Sequence, residues 1–142
     1  MSSIKDIQND IIDEMSIFDD WMDKYNYIIE LASDLPTIKD EFKTQQYLIE
    51  GCQSKVWINA DLEDGKIRYS ADSDAIITKG IIALLIRVMD NRTPQELVDL
   101  DLFFLEEIGL RDNLSPNRAN GLVAMIKQMK LYAIAYKAKL NQ

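Results

Sequence analysis

The chain of 142 residues reads as an α+β fold: a small antiparallel three-stranded sheet with helices packed on one face and at both ends of the sequence. Three observations predict it. Apolar residues recur at helical spacing up to Leu31 and again after Ser115, the period shortens to two between positions 47 and 71, and Asp64-Gly65 interrupts that alternating stretch.

Taken in order, Ile4, Ile7, Ile11 and Met15 share one face of a first helix. Ser16 with Asp19 offers a capping signal before a second, whose face is Trp21, Tyr25, Ile28 and Leu31. Leu35-Pro36 closes that helix, because proline pushes the residue before it out of the α region. The polar stretch 37–46 is a connector. Tyr47 and Ile49 then alternate with their neighbours, as do Val56, Ile58, Ala60 and Leu62, and again Ile67, Tyr69 and Ala71, which gives three short strands. Asp64-Gly65 joins the last two as a hairpin, since a type I′ turn needs positive φ at both positions. Asp72-Ser73-Asp74 offers caps for a helix from Ile76 whose segment 81–86 is apolar almost all round; its length favours a buried helix over a strand. Gly80 inside it costs about 1 kcal/mol of helix propensity and so signals a close backbone approach. Thr93-Pro94-Gln95-Glu96 is a capping box opening a short helix towards Leu100, another covers 103–108 and stops at Gly109, and Ser115-Pro116 starts a long last helix. Leu122, Met125, Met129, Tyr132 and Tyr136 line one face of it, the methionines as core filler.

At this length residues 1–142 are expected to form one domain that buries roughly 70% of the surface its unfolded chain exposes. With one cysteine and no histidine, an internal disulfide and a four-ligand Cys/His zinc site are excluded by counting, and a reducing, cytoplasmic setting is expected. The start lacks the apolar core of a signal peptide, and no apolar run reaches the ~18 residues of a membrane span. The net charge of −8 argues against nucleic acid. Residues 1–44 carry 11 acids and 4 bases, whereas after Asp112 there are five bases and no acid, so the two ends of the chain are electrically opposite helix faces.

Chemistry concentrates on Cys52, in the run Glu50-Gly51-Cys52-Gln53-Ser54-Lys55-Val56-Trp57. The predicted strands place it in the tight connection between the first two, a loop held by a sheet, where functional residues gather. A thiol without an imidazole partner suits sulfur carriage, because accepting a sulfur atom as a persulfide needs no general base to protonate a leaving amine. The other reading of Cys52 is a small buried hydrophobe. Arg118 sits in the first turn of the last helix, where a base opposes the macrodipole unless it faces something negative: a thiolate or persulfide held with the free amides of that turn, or an exposed acid. The paired acids Asp72/Asp74, Asp99/Asp101 and Glu106/Glu107 each read as caps or solvated faces, and the five scattered glycines form no phosphate loop.

Gly51-Cys52-Gln53-Ser54 with Val56-Trp57, then Asp72-Ser73-Asp74 with Lys79-Gly80, Thr93-Pro94, and Leu114-Ser115-Pro116-Asn117-Arg118 with Gly121-Leu122 together resemble the SufE family of sulfur acceptors for cysteine desulfurases. Upstream, Lys24-Tyr25, the segment 27–31 and Leu35-Pro36 fit the same family, so the resemblance runs from about Trp21 to the end. Two departures stand out: Tyr47 replaces the asparagine usual five residues before the cysteine, and residues 1–20 match only as an amphipathic helix.

The resemblance implies a fold shared with iron-sulfur scaffold proteins of the IscU type. It implies that Cys52 takes sulfane sulfur from a PLP-dependent, SufS-like cysteine desulfurase, stimulates that enzyme, and delivers sulfur to a SufB-like scaffold for cluster assembly. Arg118 would steady the thiolate or persulfide, and Gly51, Gln53, Ser54, Asp72 and Asp74 are the loop and partner candidates. Such a chain is a stoichiometric carrier and activator rather than an enzyme, binds no cofactor of its own, and leaves a homodimer open. Two alternatives remain: an adaptor in which Cys52 is only core, and a thiol peroxidase in which Arg118 polarises peroxide. Gly51 and the apolar surroundings of Val56, Trp57 and the helix near Gly80 further predict a Cys52 that is sheltered at rest and moves to react.

Overall fold

The computed structural model describes residues 3–141. Helix α1, Ile4–Ser16, begins at Ser3, whose Oγ accepts from Asp6 N, and buries Ile11 and Met15. Helix α2, Trp21–Leu31, is capped by Asp20, which accepts from Asp23 N, and not by Ser16 or Asp19; the Ser16 hydroxyl instead donates back to Asp13 O inside α1. After a 3₁₀ turn at Ala32–Asp34, Leu35 is extended ahead of Pro36, as the proline requires.

The sheet has two strands rather than three. Strands β1, Val56–Glu63, and β2, Lys66–Ser73, pair antiparallel through Asp64 and Gly65, whose φ values of 53° and 79° are those a type I′ turn demands. The segment expected as a first strand contributes a single bridge, Leu48 to Trp57, because Tyr47 closes a 3₁₀ turn and Gly51, at φ 91°, turns the chain away. Farther along the same edge, the hydroxyls of Tyr132 and Tyr136 donate to Ile58 O and Ala60 O at 3.0 and 2.7 Å, so the last helix satisfies carbonyls that a longer third strand would have paired. The outer edge of β2 is covered too: Ala71 N donates to Pro36 O, Ile38 N to Ala71 O, and Ile67 N to Arg92 O.

Helix α3, Ile76–Met89, is buried on nearly every side and packs on β2 and α2. Gly80 permits this: a Cβ there would lie 2.1 Å from Ile28 O. The acidic triplet does not cap α3 with a carboxylate; its N-cap position is Ala75, and Asp72 and Ser73 still belong to β2. Helix α4, Pro94–Val98, carries the expected capping box from Thr93 and Glu96, and α5, Phe103–Glu107, ends ahead of Gly109 at φ 72°. Buried Gln8 joins α1 to this region by donating to Asp101 O and accepting from Phe104 N. Helix α6, Pro116–Leu140, starts at Ser115 and buries Gly121, Leu122, Met125, Met129 and Ala133; Tyr69 of β2 donates to Met129 O at 2.8 Å. Among the described residues no helix is long and apolar enough to cross a membrane.

Candidate functional site

The Cys52 loop is held at both stems. On one side Ile49 N donates to Val56 O at 2.8 Å. On the other, Lys55 N donates to Asp74 Oδ1 at 3.0 Å, while Lys55 O accepts from Asp74 N and from the Ser73 hydroxyl at 3.2 and 2.8 Å. Asp74 therefore anchors the loop at Lys55, three residues after the cysteine. Asp72 does something different: its carboxylate is clamped between Lys43 Nζ at 2.6 Å and Lys79 Nζ at 3.0 Å, joining the connector to α3. Burial pushes the Asp72 carboxyl up, but hydrogen bonds from Lys43, Lys79 and Ser73 N outweigh it and hold the group below its ordinary range.

Between the stems the loop lies on the first turns of α6. Gly51 takes the left-handed conformation that favours glycine. Cys52 is half-buried, and its Sγ donates to Gly121 O at 3.7 Å. Gly121 brings the helix backbone this close; a Cβ there would stand 3.4 Å from Sγ. Gln53 Oε1 accepts from Asn117 Nδ2 at 3.1 Å. Burial raises the Cys52 thiol above its ordinary value, and the Gly121 carbonyl accepts a hydrogen bond from it; both favour the protonated form.

Beside the sulfur is a cleft of about 260 Å³. Val56, Ile81 and Met125 give it apolar walls, while Ser54, Thr78 and Arg118 supply polar ones. Arg118 is exposed and makes no ion pair among the described residues, so the exposed-acid explanation of its position has no counterpart in the structure. The helix amides contribute less than expected: Pro116 has no N–H, Arg118 N is taken by the Ser115 hydroxyl, and Ala119 N by Ser115 O. Anion attraction at this end rests on the guanidinium and the Asn117 backbone amide.

Thus Cys52, Gln53, Ser54 and Arg118 converge on one cleft, Gly51 shapes the loop, Asp74 holds its stem, and Asp72 stands outside. Gly121 packs against the thiol, and of the expected shelter Val56 and Ile81, the residue after Gly80, wall the cleft beside it, whereas Trp57 does not line it. Gly121, Asn117 and Thr78 are site residues not among the sequence candidates, although Asn117 and Gly121 lie in the motif that carries the family resemblance; for Gly121 a glycine inside a helical pattern is a further signal, the same one read at Gly80. A larger depression of about 480 Å³ lies between α1, α2 and α3, but three of its polar groups, Glu14, Tyr27 and Arg87, are already engaged with one another. Arg87 forks onto Glu14 at 3.1 and 2.5 Å, and the Tyr27 hydroxyl donates to the same carboxylate at 2.6 Å. It holds no nucleophile. Among the described residues no three His, Cys, Asp or Glu side chains gather as a metal shell.

A structure of a hypothetical protein from Thermus thermophilus, determined in solution, superposes on this fold with a TM-score of 0.74, covering 91% of this chain and 94% of that one at 18% identity. An uncharacterized SufE-like protein of Synechocystis sp. is 41% identical over 114 residues, which are 80% of this chain and 72% of that protein. Residues 9–133 match the SufE family, described as an Fe-S metabolism associated domain. With the family pattern spanning most of its length, including the cysteine loop and the cleft beside it, the chain belongs to the SufE family.

Proposed function

We propose that this chain is a sulfur carrier of Fe-S metabolism, in which Cys52 receives sulfane sulfur from the persulfide of a PLP-dependent, SufS-like cysteine desulfurase. The observation that carries the reading is the site itself: the chain's one thiol stands in a stem-anchored loop, beside a cleft whose exposed arginine has no ion-pair partner among the described residues.

In the transfer, Cys52 gives up its thiol proton to solvent and the resulting thiolate attacks the outer sulfur of the donor persulfide. The donor S–S bond breaks, the donor cysteine leaves as a thiolate, and Cys52 becomes Cys–S–SH with no net oxidation. Clearing the donor cysteine is what stimulates the desulfurase. Arg118 favours the anionic forms on this chain's side, and the carried sulfur passes to a SufB-like scaffold. The chain supplies no cofactor and acts stoichiometrically in a reducing cytoplasm.

Burial that raises the thiol pKa leaves little standing thiolate, so Cys52 has to be uncovered before it reacts with a persulfide or a peroxide. The test is cysteine turnover by the desulfurase with wild-type chain or Cys52→Ser. Wild type should accelerate turnover and the folded serine variant should not. Equal acceleration by both would reduce the chain to an adaptor.

A further inference from the structure

The stems of the Cys52 loop are fixed by backbone pairing and Asp74, so the freedom left to the cysteine is that of the tip. Two hydrogen bonds hold the tip to α6 among the described residues. One is the thiol to Gly121 O at 3.7 Å, a weak sulfur donor at long range. The other is Asn117 Nδ2 to Gln53 Oε1 at 3.1 Å, between two neutral amides. Asn117 is rigidly placed: it is the second helical residue, behind Pro116 at the first, and Ser115 already caps the helix through Arg118 N. Its side chain is thereby left for the loop.

We infer that Asn117 is the positioning residue of the Cys52 loop: its amide holds Gln53 against the start of α6 and so seats the thiol on Gly121, and release of this bond uncovers the sulfur. The inference deepens the carrier reading and takes its functional meaning from it, but the geometry concerns the free chain alone. Both amides are at the surface, where water competes for them, so the bond adds a modest bias. That suits a catch which a docking partner can undo by engaging either amide, with Gly51 at positive φ as the pivot beneath it.

The experiment measures iodoacetamide labelling of Cys52 in the free chain across a pH series. The plateau rate at high pH reports access to the sulfur, and the midpoint reports its acidity. Asn117→Ala and Gln53→Ala should each raise the plateau by about three- to tenfold, the change in opening equilibrium expected from losing one neutral hydrogen bond. The double variant should be no faster than either single one, because both remove the same contact. Asn117→Asp should keep the wild-type plateau, since the Gln53 amide can turn over and donate to the carboxylate. Gln53→Ala, which lies outside any helix, keeps the test valid if the helix variant folds poorly. A wild-type plateau in Gln53→Ala, or single effects that multiply in the double variant, would overturn the inference. Failure of Cys52 to accept sulfur would refute the carrier reading without altering these rates.

Discussion

Gly80 and Gly121 are both helical glycines in close contact with another segment, yet their replacement by alanine should act in opposite directions. Each substitution gains about 1 kcal/mol of helix propensity. At Gly80 the new Cβ would stand 2.1 Å from Ile28 O and 2.7 Å from Ile28 C, atoms of the α2 backbone that cannot rotate aside. Restoring ordinary contact means moving α2 by roughly 1 Å off a helix it packs along, at an overpacking cost of about 3 kcal/mol, the upper part of the usual range. The net loss is then about 2 kcal/mol, or roughly 6 °C in melting temperature for a chain of this size. At Gly121 the nearest atom is Cys52 Sγ at 3.4 Å, the edge of normal contact, so most of the propensity gain should survive. Urea denaturation of both variants, with thermal melts as a second reading, checks the pair. A Gly80→Ala protein as stable as wild type, or a Gly121→Ala protein that loses as much as Gly80→Ala, would refute the packing argument.

Arg118→Ala should slow sulfur acceptance by Cys52 more than it weakens binding to the desulfurase, read by single-turnover transfer beside a binding titration; an unchanged transfer rate would make Arg118 an ordinary surface base. Asp72→Asn should cost about 1–2 kcal/mol at neutral pH by loosening Lys43 and Lys79. Because the folded-state pKa of Asp72 is lowered, its contribution is present above the unfolded value and lost as pH falls through the folded one. The stability gap between wild type and variant should therefore close on acidification below about pH 4, and a gap constant down to pH 2 would contradict the clamp. Labelling of Cys52 by iodoacetamide should be slower than that of a model thiol in the free chain and faster once a desulfurase lacking its own active-site cysteine is bound. A free-chain rate equal to the model thiol would show that the sulfur needs no uncovering.

Where local chemistry decides the structure, the sequence was legible. The Asp64-Gly65 turn, the Thr93–Glu96 capping box, the break at Leu35-Pro36 and the close approach at Gly80 all stand as the residue types require. Two of the misreadings share a cause, which is a distant segment taking over a group. A third strand looked plausible from the alternation at 47–50, but Tyr132 and Tyr136, more than 70 positions away, occupy the outward carbonyls of β1. Asp72 looked like a helix cap until Lys43 and Lys79 claimed it, and Asp20 rather than Asp19 caps α2 because one residue of register decides which carboxylate meets Asp23 N. At the site, Cys52 and Arg118 were visible as odd residues in odd places. That Asn117 and Gly121 complete the seat of the thiol depends on α6 meeting the loop across more than 60 residues, which no local pattern encodes.

The central claim is that Cys52 carries sulfur, and intact-mass spectrometry tests it most directly. The chain is incubated with a PLP-dependent cysteine desulfurase and cysteine, then desalted and weighed without reductant. The account predicts a gain of one sulfur atom, removable by dithiothreitol, mapped to Cys52 and absent from Cys52→Ser, since the chain has no other thiol to accept it. An unmodified chain beside a desulfurase that bears its own persulfide would contradict it.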